Sequence, residues 1–229
     1  MSKERQDKEY VKEEIRREFQ LERMVLFSDA VFAIVITLMA IEIRVPEMAS
    51  FASDDELGRA LVKLLPNVIA YSVSFLFIGF TWYQHLQLFS LLKDYDKGLV
   101  VRNLLMLFFI GFFPFSASLV ARPHNGVFII IVIYFSTILL SRGAQLALQH
   151  YILIKHPELR INSDISEELS RFKNSKIVLL LLIVVFLLTS ATLYLIPNPE
   201  YKPFAWWWFF LFPFLLRYFK KKNIVSKRL

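Results

Sequence analysis

Long apolar stretches separated by short polar segments dominate the chain, and they are close to the roughly 20 residues an α-helix needs to cross a hydrocarbon core about 30 Å thick. The pattern predicts six spans, near residues 24–45, 64–92, 99–120, 127–154, 177–196 and 204–219. Pro46 closes the first, and Ser28, Asp29 and Thr37 make it less oily than the others. The second is long enough to tilt or to extend past the membrane. Pro114 predicts a kink in the third, which membrane helices tolerate. Pro197-Asn198-Pro199 ends the fifth, and Trp206, Trp207 and Trp208 open the short sixth, where aromatic side chains suit the headgroup interface. The expected fold class is all-α, one six-helix transmembrane domain over residues 1–229.

Composition supports lipid contact. Hydrophobic residues make up 56% of the chain, against roughly 45–50% apolar in an ordinary soluble domain. Six spans and their loops consume nearly all 229 residues, which leaves no length for a sizeable soluble domain. With no cysteine, disulfides and thiolate metal sites are excluded. The formal charge of +7 does not imply nucleic acid, because Lys and Arg flank the apolar runs instead of forming a patch on a polar domain. Residues 1–22 are dense in Lys, Arg and Glu with no cleavage site after the first apolar run, so that run is expected to stay as a helix.

Charge placement also predicts orientation. Of the 27 Lys and Arg, only Arg44, Arg59, Lys63, Arg122 and Lys202 fall on one side, with Arg142 inside the fourth span and the remainder opposite. By the positive-inside rule both termini are cytoplasmic, which also requires an even number of spans. The longest cytoplasmic connection, residues 155–176, holds Asp164 and Glu167 at a spacing that suggests the cap of a short surface helix.

Asp29 is the informative polar residue. A carboxylate at the centre of a span costs roughly 2.5–3.5 kcal/mol on insertion scales, and less near an end. Trp82, Gln84 and His85 late in the second span and Arg102 and Asn103 at the start of the third lie at the same interface and are candidate partners. Such a group either locks helices one to three together or serves an ion or proton pathway. Further along the first span, Ile34, Thr37 and Ile41 have offsets of three and four and share one helical stripe, as do Val31 and Leu38 beside it. A stripe of this kind is ordinarily core. Arg142 is expected to face a helix or a polar partner. His85, His124, His150 and His156 are scattered without metal spacing, and no catalytic or nucleotide-binding motif is present, so neither an enzyme nor a cofactor is expected. There is no TVGYG-like segment, so any pore must be lined by side chains. A secondary transporter of a cation or small solute remains the alternative to a channel, although Pro114 has no matching break in the other half.

The segment Arg23-Met24-Val25-Leu26-Phe27-Ser28-Asp29 carries an intact RxxxFSD pattern at the opening of the first of six spans, followed by Thr37. It resembles the hallmark first helix of the transmembrane protein 175 family, and Trp82, His85 and Asn103 resemble the polar partners that the family places beside it. The resemblance implies a potassium-permeable channel without a carbonyl filter. With one six-helix unit and no internal repeat, the chain looks like the bacterial form, a homotetramer in the inner membrane whose only partners are itself and lipid. It further implies that Ile34 is the constriction, that Thr37 and Ile41 are further pore-facing layers, and that potassium is the permeant ion. Arg23, Phe27, Ser28 and Asp29 would then serve packing and gating with Trp82, His85 and Asn103.

Overall fold

The computed structural model describes residues 3–41, 43, 53–120, 127–161 and 164–196. The predicted sixth span, its three tryptophans, His124, Pro46 and the Pro197-Asn198-Pro199 terminator lie outside the described residues. Seven α-helices account for most of what is described: α1 (Lys3–Ile41), α2 (Asp54–Lys63), α3 (Leu65–Phe89), α4 (Lys97–Gly111), α5 (Phe113–Val120), α6 (Val127–His150) and α7 (Ser166–Leu195).

Among the described residues four helical stretches are long and apolar enough to span a membrane, and a fifth results if α2 and α3 count as one span bent by 41°. The fold is that of an all-α membrane protein. The third predicted span divides into α4 and α5 at Phe112, two residues ahead of Pro114. Proline has no N–H to donate to the preceding turn, so the helix breaks there. α6 runs into a π-helical turn at Tyr151–Lys155 before a short 3-10 turn, Pro157–Leu159.

Two elements depart from the sequence expectation. The separate surface helix expected near Asp164 is the first turn of α7, which begins about three turns before the apolar run at Ile177. Asp164 accepts from the Ser166 N–H at 2.9 Å and the Ser166 hydroxyl at 3.1 Å, opening that long helix. α2 was not predicted at all, although Ser53 and Glu56 have the spacing of a capping box and the Ser53 hydroxyl accepts from the Glu56 N–H at 3.4 Å.

The core forms where α1, α3, α4 and α6 converge. It holds Phe32, Met39, Ile78, Leu99, Met106, Ile110, Phe113 and Leu148, all essentially inaccessible. α6 packs against α4, α5 and α7, while α1 packs against α3, α4 and α5. Beyond the helix ends, an antiparallel bridge joins Leu92 to Arg160. The Ile161 N–H donates to the Leu91 carbonyl at 2.8 Å and the Lys93 N–H to the Leu159 carbonyl at 2.9 Å. This bridge fastens the connection after α6 to the end of α3, so the polar groups late in α3 are held from both directions.

Candidate functional site

α1 meets α3 and α4 through a chain of hydrogen bonds whose direction follows from the chemistry of one hydroxyl. Ser28 donates its single proton to the Met24 carbonyl at 2.8 Å, as a serine within a helix commonly does. Its oxygen therefore offers Asn103 a lone pair, and the Asn103 amide donates Nδ2–H to it at 2.8 Å. That leaves the Asn103 Oδ1 to face His85 Nε2 at 2.9 Å. An amide oxygen only accepts, so the Nε2 of His85 carries the proton. Ser28, His85 and Asn103 are all buried. Phe89 stacks on the His85 ring at 4.0 Å and Phe32 lies at 5.7 Å, which walls the chain with apolar surface. His85 Nδ1 is buried without a partner. A bare lone pair is the form an imidazole takes there when Nε2 holds its only proton.

Asp29 stands beside this chain, half-buried, and accepts from the Trp82 indole N–H at 2.8 Å. An indole can only donate and a carboxylate can only accept, so the pair is matched, and it ties α1 to α3 a second time. Gln84 and Arg102, two of the sequence candidates for partners of Asp29, go elsewhere. Gln84 accepts from Arg142 at 2.8 Å. The same guanidinium donates to Gln145 at 2.8 Å and lies over the Phe77 and Phe80 rings, so Arg142 faces polar and aromatic partners inside the protein. Arg102 donates to the Gly98 carbonyl at 3.0 Å and covers the Tyr151 ring at 3.9 Å. Arg23 is exposed, its guanidinium 5.9 Å from the Phe19 ring. Phe27 is exposed as well and lies away from the buried chain.

The two sides of α1 are unlike. Ser28, Phe32, Val35 and Met39, spaced four, three and four, are buried. Phe27, Ile34 and Ile41 are exposed at 53%, 56% and 73%, with Thr37 among them. Thr37 donates to its own helix, with Ile34 O at 2.9 Å and Ala33 O at 3.1 Å, so its oxygen retains lone pairs on the open side. Ala30, Ala33 and Ala40 are exposed beside it.

One polar cluster went unnoticed in the sequence. Asp96 caps α4 by accepting from the Leu99 N–H at 2.7 Å and also accepts from the Tyr151 hydroxyl at 2.5 Å. Burial pushes the Asp96 carboxyl up, but those two hydrogen bonds and the nearby His156 and Arg102 charges outweigh it and hold the carboxyl below its ordinary range. A Cβ at Gly98 would run into the Tyr151 ring, so glycine is the residue that lets Tyr151 reach Asp96. Asp96 follows an unremarkable loop and Tyr151 ends an apolar run, and only the D-x-x-L capping position hinted at either. Among the described residues no group of three His, Asp or Glu is placed to hold a metal ion.

Residues 23–114 match the family described as endosomal/lysosomal potassium channel TMEM175. A potassium channel of Chryseobacterium sp. (strain P1-3) is 35% identical over 102 residues, which are 44% of this chain and 50% of that protein. One from Streptomyces collinus is 39% identical over 100 residues, 44% of this chain and 47% of its own length. The chain thus spans about half the length of these curated relatives. The likeness to the crystal structure of a lysosomal potassium-selective channel TMEM175 homologue from Chamaesiphon minutus extends further, covering 89% of this chain and 97% of that one with a TM-score of 0.65 and 25% identity. The family match covers the spanning part of α1 together with α3 and α4, the helices joined by Ser28, Asn103, His85, Asp29 and Trp82, and the fold likeness covers most of the rest, so in both sequence and fold the chain is similar to TMEM175 channels.

Proposed function

We propose that the chain is a potassium-permeable cation channel in which four copies place their first helices around a central pore. The observation that carries this reading is the open face of α1, where Ile34, Thr37 and Ile41 are exposed while the opposite face is buried in the protomer. The small residues Ala30, Ala33 and Ala40 run beside that stripe, at steps of three and seven. Within a bilayer, lipid is as apolar as isoleucine, so burial of oily side chains does not drive helices together; close approach across small residues does. A seam of this kind lets a neighbouring first helix pack closely and turns Ile34 toward the shared axis. The curated relatives named above are described as potassium channels, which supports potassium as the permeant ion.

Four Ile34 side chains would form a hydrophobic neck that blocks ions by dewetting when narrow and passes them when the helices splay. Thr37, one turn further, presents oxygen lone pairs because its proton is committed to the helix backbone, and that is the polarity a partly dehydrated cation requires. Four hydroxyl oxygens are fewer fixed ligands than rings of backbone carbonyls supply, so selectivity should be moderate. Ser28 and Asp29, with Trp82, His85 and Asn103, hold the first helix in position, Arg23 and Phe27 on its exposed side serve packing and gating between copies, and both termini lie in the cytoplasm.

Purified protein reconstituted into a planar bilayer under potassium and sodium gradients tests the reading. We expect unitary current steps with a reversal potential displaced toward potassium. Ile34→Asn, which wets the neck, should raise conductance several-fold and change the permeability ratio. Flux at a slow saturating turnover without unitary steps would indicate a transporter, and an Ile34→Asn variant with unaltered current would remove Ile34 from the pore.

A further inference from the structure

The N-terminal part of α1 carries a pattern that the spanning part does not explain. From Arg23 back to Lys3 the helix continues unbroken for about 30 Å at 1.5 Å per residue. It is tied to the rest of the protomer by Arg17, which donates to Asp94 at 3.2 Å and lies 3.7 Å from Glu13. On another side, Val11, Ile15 and Phe19 stand in the open at 52%, 61% and 55% exposure. Their steps of four, then seven to Leu26, belong to an 11-residue repeat, which stays on one line of a nearly straight helix. The same repeat continues onto Ala30 and Ala33, the seam beside the proposed pore stripe, and then onto Thr37 of the stripe itself.

The flanks of this line differ in sign. Lys12 and Arg16 border it on one side and Glu14 and Glu18 on the other, all four exposed, while Glu22 falls on the line itself between Phe19 and Leu26. Lys12 and Glu14, like Arg16 and Glu18, are two residues apart and point away from each other, so the two rows cannot meet across the stripe on one helix. Within each row like charges sit four apart, which is mildly unfavourable on a lone helix and is relieved by a row of opposite sign. In a closed ring of parallel copies, the basic flank of each helix faces the acidic flank of the next. A lipid surface fits less well, because one flank is acidic and because the helix continues without a break into the span and so projects away from the bilayer.

We propose that the N-terminal extensions of neighbouring copies of this chain pack into a parallel helical bundle, with Val11, Ile15 and Phe19 at its centre and oppositely charged flanks between adjacent helices. This rests on the four-copy reading of the pore, and it adds an assembly surface outside the membrane.

Because the chain has no cysteine, single substitutions report without background. The full chain is expressed with Ile15→Cys, Phe19→Cys, Glu13→Cys or Thr37→Cys, and membranes are treated with copper phenanthroline. Glu13 lies two residues from Ile15, about 200° around the helix, and serves as the off-stripe control. Ile15→Cys and Phe19→Cys should yield about tenfold more disulfide-linked dimer than Glu13→Cys, reflecting the raised local concentration of facing thiols. Adding Lys12→Glu and Arg16→Glu should reduce the Ile15→Cys cross-link several-fold while the Thr37→Cys cross-link is kept, and further adding Glu14→Lys and Glu18→Lys should restore it. Equal yields at positions 15 and 13, or no response to charge reversal, overturn the proposal. A cross-link at Thr37 with none at Ile15 or Phe19 overturns the bundle and leaves the pore standing, whereas the converse supports the bundle and removes the pore. A helix lying along the lipid would give no cross-link at Ile15 and likewise overturns it.

Discussion

The inner and outer faces of α1 are built from the same kinds of residue to different ends. Ser28 and Thr37 each donate a hydroxyl proton to their own helix. Ser28 then uses its lone pair inside the protomer, on Asn103, while Thr37 keeps its lone pair on the open side. Phe32 and Met39 are each 2% exposed and Ile34 and Ile41 more than half exposed, although all four are apolar and lie within ten residues of one another. Hydrophobicity therefore does not separate the faces in a membrane protein. What separates them is whether α3, α4 or α5 packs opposite.

Substitutions on the two faces should consequently affect different properties. The largest effect on stability is expected from Asn103→Leu, which strands both the His85 N–H and the Ser28 lone pair and should cost about 1–3 kcal/mol. The midpoint of thermal unfolding of purified protein in detergent reads this loss. Ile34→Asn should leave that midpoint nearly unchanged, by less than about 0.5 kcal/mol as for most changes at exposed positions, while altering the current. If both variants shift unfolding equally, the distinction between the faces fails. Trp82→Phe keeps the ring but removes the donor to Asp29, and should cost about 0.6–1.7 kcal/mol, the range for hydrogen bonds between membrane helices. The smallest effect lies outside the bilayer at Asp96. Its carboxyl is held below the ordinary range in the folded protein, so its contribution is complete above the ordinary carboxylate value and is lost as pH falls through the lowered one. Asp96→Asn should flatten the acid limb of unfolding midpoint against pH and leave the neutral region alone.

The sequence carried the helix-locking residues more clearly than the open face. Ser28, Asp29, Trp82, His85 and Asn103 are polar side chains in apolar surroundings, where each must find a partner, so their types and depth along the spans brought the right elements together. Gln84 and Arg102 met the same description and bond elsewhere, because depth does not specify rotation about a helix axis. For the stripe the difficulty is sharper. Positions 34, 37 and 41 and positions 28, 32, 35 and 39 both have steps of three and four, and only the packing of α3 and α4 shows which set is covered. The break at Phe112 was announced by Pro114. α2 was hidden by the expectation that a short outer loop joins the first two spans, despite its capping residues. The extended first turns of α7 were obscured because polar residues 166–176 lack the apolar run that marks a span.

The order of donors around Asn103 has a consequence for charge movement. Proton relays pass along groups that can receive a proton at one atom and release another, as hydroxyls, imidazoles and waters do. A carboxamide does not do so readily: releasing an Nδ2 proton to Ser28 while taking one at Oδ1 from His85 would require the disfavoured imidic-acid form. Placed between the histidine and the serine, Asn103 acts as an insulator. The row of polar side chains linking α3, α4 and α1 can transmit position from helix to helix, but it does not conduct protons.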